Sequence, residues 1–160
     1  MMKIRVGFGF DVHQLKEGLN FCLGGIIIPH SKGSLGHSDA DVLIHTICDA
    51  LLGAANMGDI GKHFPDTSPV YKGIDSKILL KEVVNLINQK EYIISNIDST
   101  ICLQKPKIGK YIPEMKRVLS KCMNIDVEDI SIKATTTEKL GFVGKEEGVS
   151  AYATVLIHKS

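Results

Sequence analysis

The sequence predicts an α+β two-layer sandwich, a mixed four-stranded sheet with helices on one face in the order ββααβαββ. Three observations predict it. Two-residue alternation of apolar and polar side chains marks 96–103 and 149–157. Apolar spacing near 3.6 residues marks the helical stretches, all of which fall between the first strands and the last. No repeat or low-complexity run interrupts the pattern, so residues 1–160 read as a single catalytic domain.

The first strand covers 3–13, where Gly7 and Gly9 alternate with Phe8 and Phe10 and let backbone approach something closely. Phe21 to Leu23, the Gly24-Gly25 pair and Ile26 to Ile28 read as a hairpin stopped by Pro29, and residues 33–36 as a flexible loop. A helix follows in which Val42, Leu43, Ile47, Ala50, Leu51 and Ala54 share a face, with Ser38 as N-cap and Asp41 completing a capping box. After a turn-rich connection, Asp75 or Ser76 caps a second helix to about Gln89. The strand at 96–103 is broken by Pro106, and a helix over 112–123 carries Pro113 in its first turn. Strands at 130–136 and 149–157 complete the chain.

Composition narrows the function. Nineteen Lys plus Arg against eighteen Asp plus Glu leave no basic surface for general nucleic-acid binding, so a small molecule is the expected partner. Cys22, Cys48, Cys102 and Cys122 form no C-x-x-C pair and sit in apolar contexts, as reduced core thiols do. No apolar run reaches the ~18 residues that span a bilayer, and no secretory signal opens the chain. The location expected is cytoplasmic, or plastid if a transit peptide precedes this sequence.

Chemistry concentrates around 36–59. Asp41, His45 and Asp49 fall at i, i+4 and i+8 of the helix, a stack that is costly to bury without a cation. Asp11 and His13, two apart on a strand, point to one face and can reach the same ion. With His45 they make the three-ligand set of a zinc centre whose fourth position stays open, and Asp49 is the acceptor expected for the other ring nitrogen of His45. Singly, His45 reads as a core histidine and Asp11 as a turn residue; the combination shifts the balance to a metal. Thr135, Thr136 and Thr137 followed by Glu138 can hold phosphate oxygens and a second, oxygen-loving cation, although threonine also simply favours strands. His37 and Ser38 sit at a helix N-terminus, where anions are attracted, although capping alone suffices for Ser38. There is no Walker A pattern, no complete dinucleotide fingerprint and no H-E-x-x-H.

Six blocks together closely resemble the 2-C-methyl-D-erythritol 2,4-cyclodiphosphate synthase family: Asp11-Val12-His13, the run 36–41, the run 49–54, the run 58–61, the run 64–67 and the run 133–142. The resemblance implies cyclisation of 4-diphosphocytidyl-2-C-methyl-D-erythritol 2-phosphate with release of CMP. It also implies a homotrimer with sites between subunits, using Zn²⁺ and either Mg²⁺ or Mn²⁺. By match of position, Asp11, His13 and His45 would be zinc ligands and Glu138 would meet the second metal. His37 and Thr136 would stabilise the transition state. Asp11, Val12, His13, His37 and Ser38 would contact substrate, with Asp59, Ile60, Gly61, Phe64, Pro65, Asp66, Thr67 and Ser68 around the erythritol. Leu103, Gln104, Lys105, Pro106, Lys107, Ile108 and Gly109, with Thr135, Thr136 and Thr137, would form the cytidine-nucleotide pocket, and Glu138 would also contact substrate. Phe142 and Lys145 would add contacts, with Lys145 standing where the family commonly has arginine; it keeps the charge and loses a bidentate fork. Two rivals stand beside this reading. A zinc phosphoesterase would give CMP and a linear phosphate, and a non-catalytic metal-storage trimer would need a closed four-ligand site.

Overall fold

The computed structural model describes residues 2–159. Its spine is β1 (Lys3–Glu17), paired antiparallel with β7 (Gly148–Lys159) from Lys3 opposite Lys159 to Gln14 opposite Gly148. β5 (Ile93–Cys102) lies antiparallel to β7 and parallel to β6 (Ile130–Thr135). The far end of β1 pairs with β4 (Lys32–Leu35). The sheet is therefore mixed, as the sequence predicts, but has five strands in the order β4-β1-β7-β5-β6 rather than four. The added strand is the stretch read as a flexible loop. Its four residues, Lys-Gly-Ser-Leu, show no alternation, and they are extended only because the end of β1 offers them a ladder. The predicted hairpin is a separate two-stranded sheet of β2 (Phe21–Leu23) and β3 (Ile26–Ile28).

Three long helices cover one face. α1 (Val42–Ala54) packs on β1 and β7 and touches α3 (Ser76–Gln89), which meets α4 (Ile112–Met123), which reaches β6. Two one-turn helices, α2 (Ile60–His63) and α5 (Gly141–Gly144), extend the predicted order. The predicted spans of α3 and α4 agree with those observed. The start of α1 differs: Asp41, not Ser38, is the N-cap, and it accepts from Ile44 N at 3.0 Å. Ala40 between them is in the left-handed region (φ 57), so no helix can run through from Ser38. Asp41 also accepts from Gly24 N and Gly25 N, joining the β2–β3 turn to the helix start.

Gly7 and Gly9 face α1. A Cβ on Gly7 would lie 1.9 Å from the Ala50 carbonyl oxygen, and one on Gly9 would lie 2.1 Å from that of Thr46. The close approach foreseen for these glycines is that of the helix backbone itself. The opposite sheet face is open and apolar, with Val6 65% and Phe8 64% exposed beside Ile4, Phe10, Val12 and Tyr152. Among the described residues no helix is long and apolar enough to cross a membrane.

Candidate metal centre

The same alternation that turns Gly7 and Gly9 toward α1 turns Asp11 and His13 there as well. Because the glycines seat the helix close to the strand, His45, on its first turn, reaches the two side chains. Three donor atoms converge. Asp11 Oδ2 lies 3.1 Å from His13 Nε2 and 3.2 Å from His45 Nδ1, and the two nitrogens are 3.1 Å apart. Three corners of a tetrahedron around a zinc-sized ion at about 2.0–2.1 Å would be about 3.3–3.4 Å apart, close to this triangle. Protons can bridge some of its edges, but one divalent cation answers all three lone pairs at once. The residues present fit a divalent metal.

The electrostatics agree. Burial alone would raise the pKa of Asp11, yet hydrogen bonds and charge from His13 and His45 hold its carboxyl well below the usual carboxylate range. Burial alone would lower that of His45, yet Asp11, with Asp41 and Asp39 behind it, raises it.

The far side of His45 differs from expectation. Its Nε2 lies 2.9 Å from Ser76 Oγ and 3.0 Å from Ser38 Oγ. Asp49 does not serve as its acceptor, because the Asp49 carboxylate takes the Ile60 N–H at 2.7 Å at the start of α2. Asp41 likewise leaves the predicted stack to cap the helix. Behind Ser76 stands Asp39, which accepts its hydroxyl and, at 3.0 Å, its backbone N–H. Neither role was legible in the spacing: Asp39 lies in a motif already singled out, but Ser76 is 31 residues from His45 and was visible only as a helix cap.

A cavity of about 350 Å³ opens beside the triad, lined by His13, His37, Ser38 and His45 and by Ile60, Gly61, Phe64 and Asp66, with Tyr71, Ile74 and Leu79 completing it. The sequence pattern assigns none of the last three to a site, although Leu79 falls on the apolar face of the second helix. His37 Nε2 lies 3.1 Å from the Ser68 carbonyl oxygen. Asp59 instead caps α2 through Lys62 N, Pro65 and Thr67 are exposed outside the lining, and the side chain of Val12 is on the open sheet face.

A second cavity, of about 320 Å³, is lined by Leu103, Pro106, Lys107, Ile108, Gly109, Ile112, Ala134, Thr135 and Thr136. Thr136 Oγ1 donates to Glu138 at 3.1 Å, and Thr137 donates to the Leu140 carbonyl. Gln104 accepts from Lys139 N, Lys105 pairs with Glu146, and Lys145 is exposed. Phe142 lies over Gly148, where a Cβ would sit 3.0 Å from the His13 carbonyl oxygen. The registers set Val12, Ser150, Cys102 and Thr135 in one row across the sheet. Three strand spacings of about 4.8 Å separate its ends, so the threonine run and the triad lie roughly 14 Å apart. One chain brings Asp11, His13, His45 and His37 together and leaves Thr136 and Glu138 elsewhere.

The sequence pattern of the YgbB family matches residues 4–158. The chain is 70% identical over 158 residues to the 2-C-methyl-D-erythritol 2,4-cyclodiphosphate synthase of Bacteroides thetaiotaomicron, covering 99% of each, and 68% identical to that of Bacteroides fragilis over the same share. Among solved structures it is similar to the bifunctional IspDF of Campylobacter jejuni, with a TM-score of 0.96 at 38% identity over all of this chain and 43% of that one. It is also similar to a 2C-methyl-D-erythritol-2,4-cyclodiphosphate synthase in a CDP-bound form, with a TM-score of 0.88 at 35% identity over 96% of this chain and 99% of that one. A CDP complex of Plasmodium falciparum IspF gives a TM-score of 0.85 at 36% identity, over 96% and 95%.

Proposed function

Because the chain belongs to the YgbB family, we infer that it is the lyase of the non-mevalonate isoprenoid pathway that forms 2-C-methyl-D-erythritol 2,4-cyclodiphosphate. Its substrate is 4-diphosphocytidyl-2-C-methyl-D-erythritol 2-phosphate. An oxygen of the substrate's 2-phosphate attacks the β-phosphorus and closes the ring. The bond from that phosphorus to the oxygen bridging to the α-phosphate breaks, and its electron pair leaves on CMP. No protein nucleophile is required, which agrees with the thiols: burial pushes Cys22 up to about 11 and Cys48 well above its ordinary value.

What the chain supplies is position and charge. Asp11, His13 and His45 would hold Zn²⁺, and Glu138, by its matching position in the family, would meet Mg²⁺ or Mn²⁺. Bound there, the metals supply charge neutralisation at the reacting phosphates. His37 donates its Nε2 proton to the Ser68 carbonyl, which fixes the ring at the cavity wall. Ile60, Phe64, Ile74 and Leu79 give the erythritol an apolar wall that excludes water. Leu103, Pro106 and Ile108 offer the cytosine a second apolar slot, beside Thr135 and Thr136. Folding the substrate's two phosphates together contributes as effective molarity, about 7–11 kcal/mol in favourable intramolecular cases.

We place each complete site between two subunits of a homotrimer, one giving the triad and His37, the other the nucleotide slot, Thr136 and Glu138. Two features support this: the roughly 14 Å between the halves within a chain, and the open apolar sheet face. A cytoplasmic location fits four free cysteines.

The observation that carries the reading is the triangle of donor atoms at the mouth of the cavity that holds His37. The test is phosphorus NMR of the purified protein with the cytidylyl substrate and divalent metal. The cyclic diphosphate and CMP should appear together; CMP with a linear phosphate would overturn the reading.

A further inference from the structure

We propose that Ser76 and Asp39 are positioning residues for the metal ligand His45, an inference that rests on the reading of Asp11, His13 and His45 as a divalent-metal site. With Nδ1 given to an ion that Asp11 and His13 share, the ring must carry its proton on Nε2, where only an acceptor can meet it. Two hydroxyl oxygens do so, and their surroundings differ.

Ser76 is fully buried, and its own proton is committed to Asp39 Oδ1. That commitment aims a lone pair at His45 Nε2, 2.9 Å away. Asp39 is itself fixed, accepting Ser76 N–H at 3.0 Å and Asp41 N–H at 3.2 Å. Ser38 is only partly buried, accepts Ala40 N–H at 3.2 Å and lines the cavity, so its proton is free to turn to a ligand there. The durable contact is thus the relay from the Asp39 carboxylate through the Ser76 hydroxyl to the imidazole. It holds one tautomer and one ring orientation and makes Nδ1 a better donor, the part that a carboxylate plays directly in many histidine–metal sites.

The test is Co²⁺ titration of the chelator-stripped protein, followed by its visible ligand-field spectrum, with Zn²⁺ affinity measured by chelator competition. Ser76→Ala and Asp39→Asn should each lose about 10–100-fold in metal affinity and show a shifted Co²⁺ band. Ser38→Ala should lose less than Ser76→Ala. A role confined to folding would lower the stability of the stripped variants and leave the spectrum unchanged. Circular dichroism reports whether each variant folds, and Asp39→Asn decides the matter should Ser76→Ala unfold. Wild-type affinity and spectrum in the folded variants, or a larger loss in Ser38→Ala, overturns the positioning role alone. A wild-type spectrum unchanged in Asp11→Ala instead overturns the metal reading and this inference with it.

Discussion

On the His45 ring the two nitrogens face opposite demands, a cluster of lone pairs on one side and two serine hydroxyls on the other. Removing the ring removes one corner of the triangle without touching the buried apolar face of α1, because His45 is not among the residues that form the core. His45→Ala is therefore predicted to stay folded by circular dichroism while losing both bound metal and turnover; full zinc occupancy by elemental analysis would refute the ligand assignment. The site also predicts a pH dependence. In the metal-free protein the net effect of Asp11 is to raise the His45 pKa above its ordinary value of about 6.5, so the ring keeps its proton to higher pH than a free imidazole does. A metal must displace that proton, so affinity is full above the raised pKa and falls as pH drops through it. Asp11, held well below the usual range, stays ionised and adds nothing in this window. Calorimetric metal titration from about pH 8 to about pH 5.5, in buffers of different ionisation enthalpy, should show proton release and weakening affinity. An affinity flat across that range contradicts the arrangement.

Between elements, the contact that matters most is α1 on β1, and two glycines permit it. Gly9→Val would drive side-chain carbon into the Thr46 carbonyl, where even a Cβ falls at 2.1 Å. Overpacking there should cost about 3 kcal/mol or more in urea denaturation and weaken metal binding by moving His45 away from the strand. Gly53→Ala, on the same helix with open space around it, should instead stabilise by about 0.5–1 kcal/mol. Equal effects of the two would show that the helix is not seated by the glycine. Helix periodicity and the Asp11–His13 spacing made this contact legible in the sequence, since both follow from local geometry. What local geometry does not contain is which loop returns to a side chain. Asp49 shares the helix face of His45, yet the unpaired N–H of Ile60 takes its carboxylate. Ser38 looked like the cap, but left-handed Ala40 moves the helix start to Asp41. β4 was invisible for the same reason, since four residues without alternation become a strand only through pairing with a distant one.

For the molecule as a whole, the five-stranded sheet sets the triad and the threonine run on one row, three strand spacings or roughly 14 Å apart. If neighbouring subunits complete each other's sites, His45→Ala and Thr136→Ala, each inactive alone, should complement when co-assembled. With equal random mixing about a quarter of the interfaces of a closed ring pair two intact halves, so about a quarter of the activity should return. No recovery in verified mixed trimers would place both halves in one subunit. Beneath this lies a narrower expectation, that one divalent ion is held by three named atoms with one position left open. Anomalous diffraction at the zinc edge from metal-loaded crystals tests it directly. A peak is expected about 2.0–2.1 Å from Asp11 Oδ2, His13 Nε2 and His45 Nδ1, with its fourth position free of protein donors. A peak elsewhere, or a fourth protein ligand closing the ion off, would contradict it.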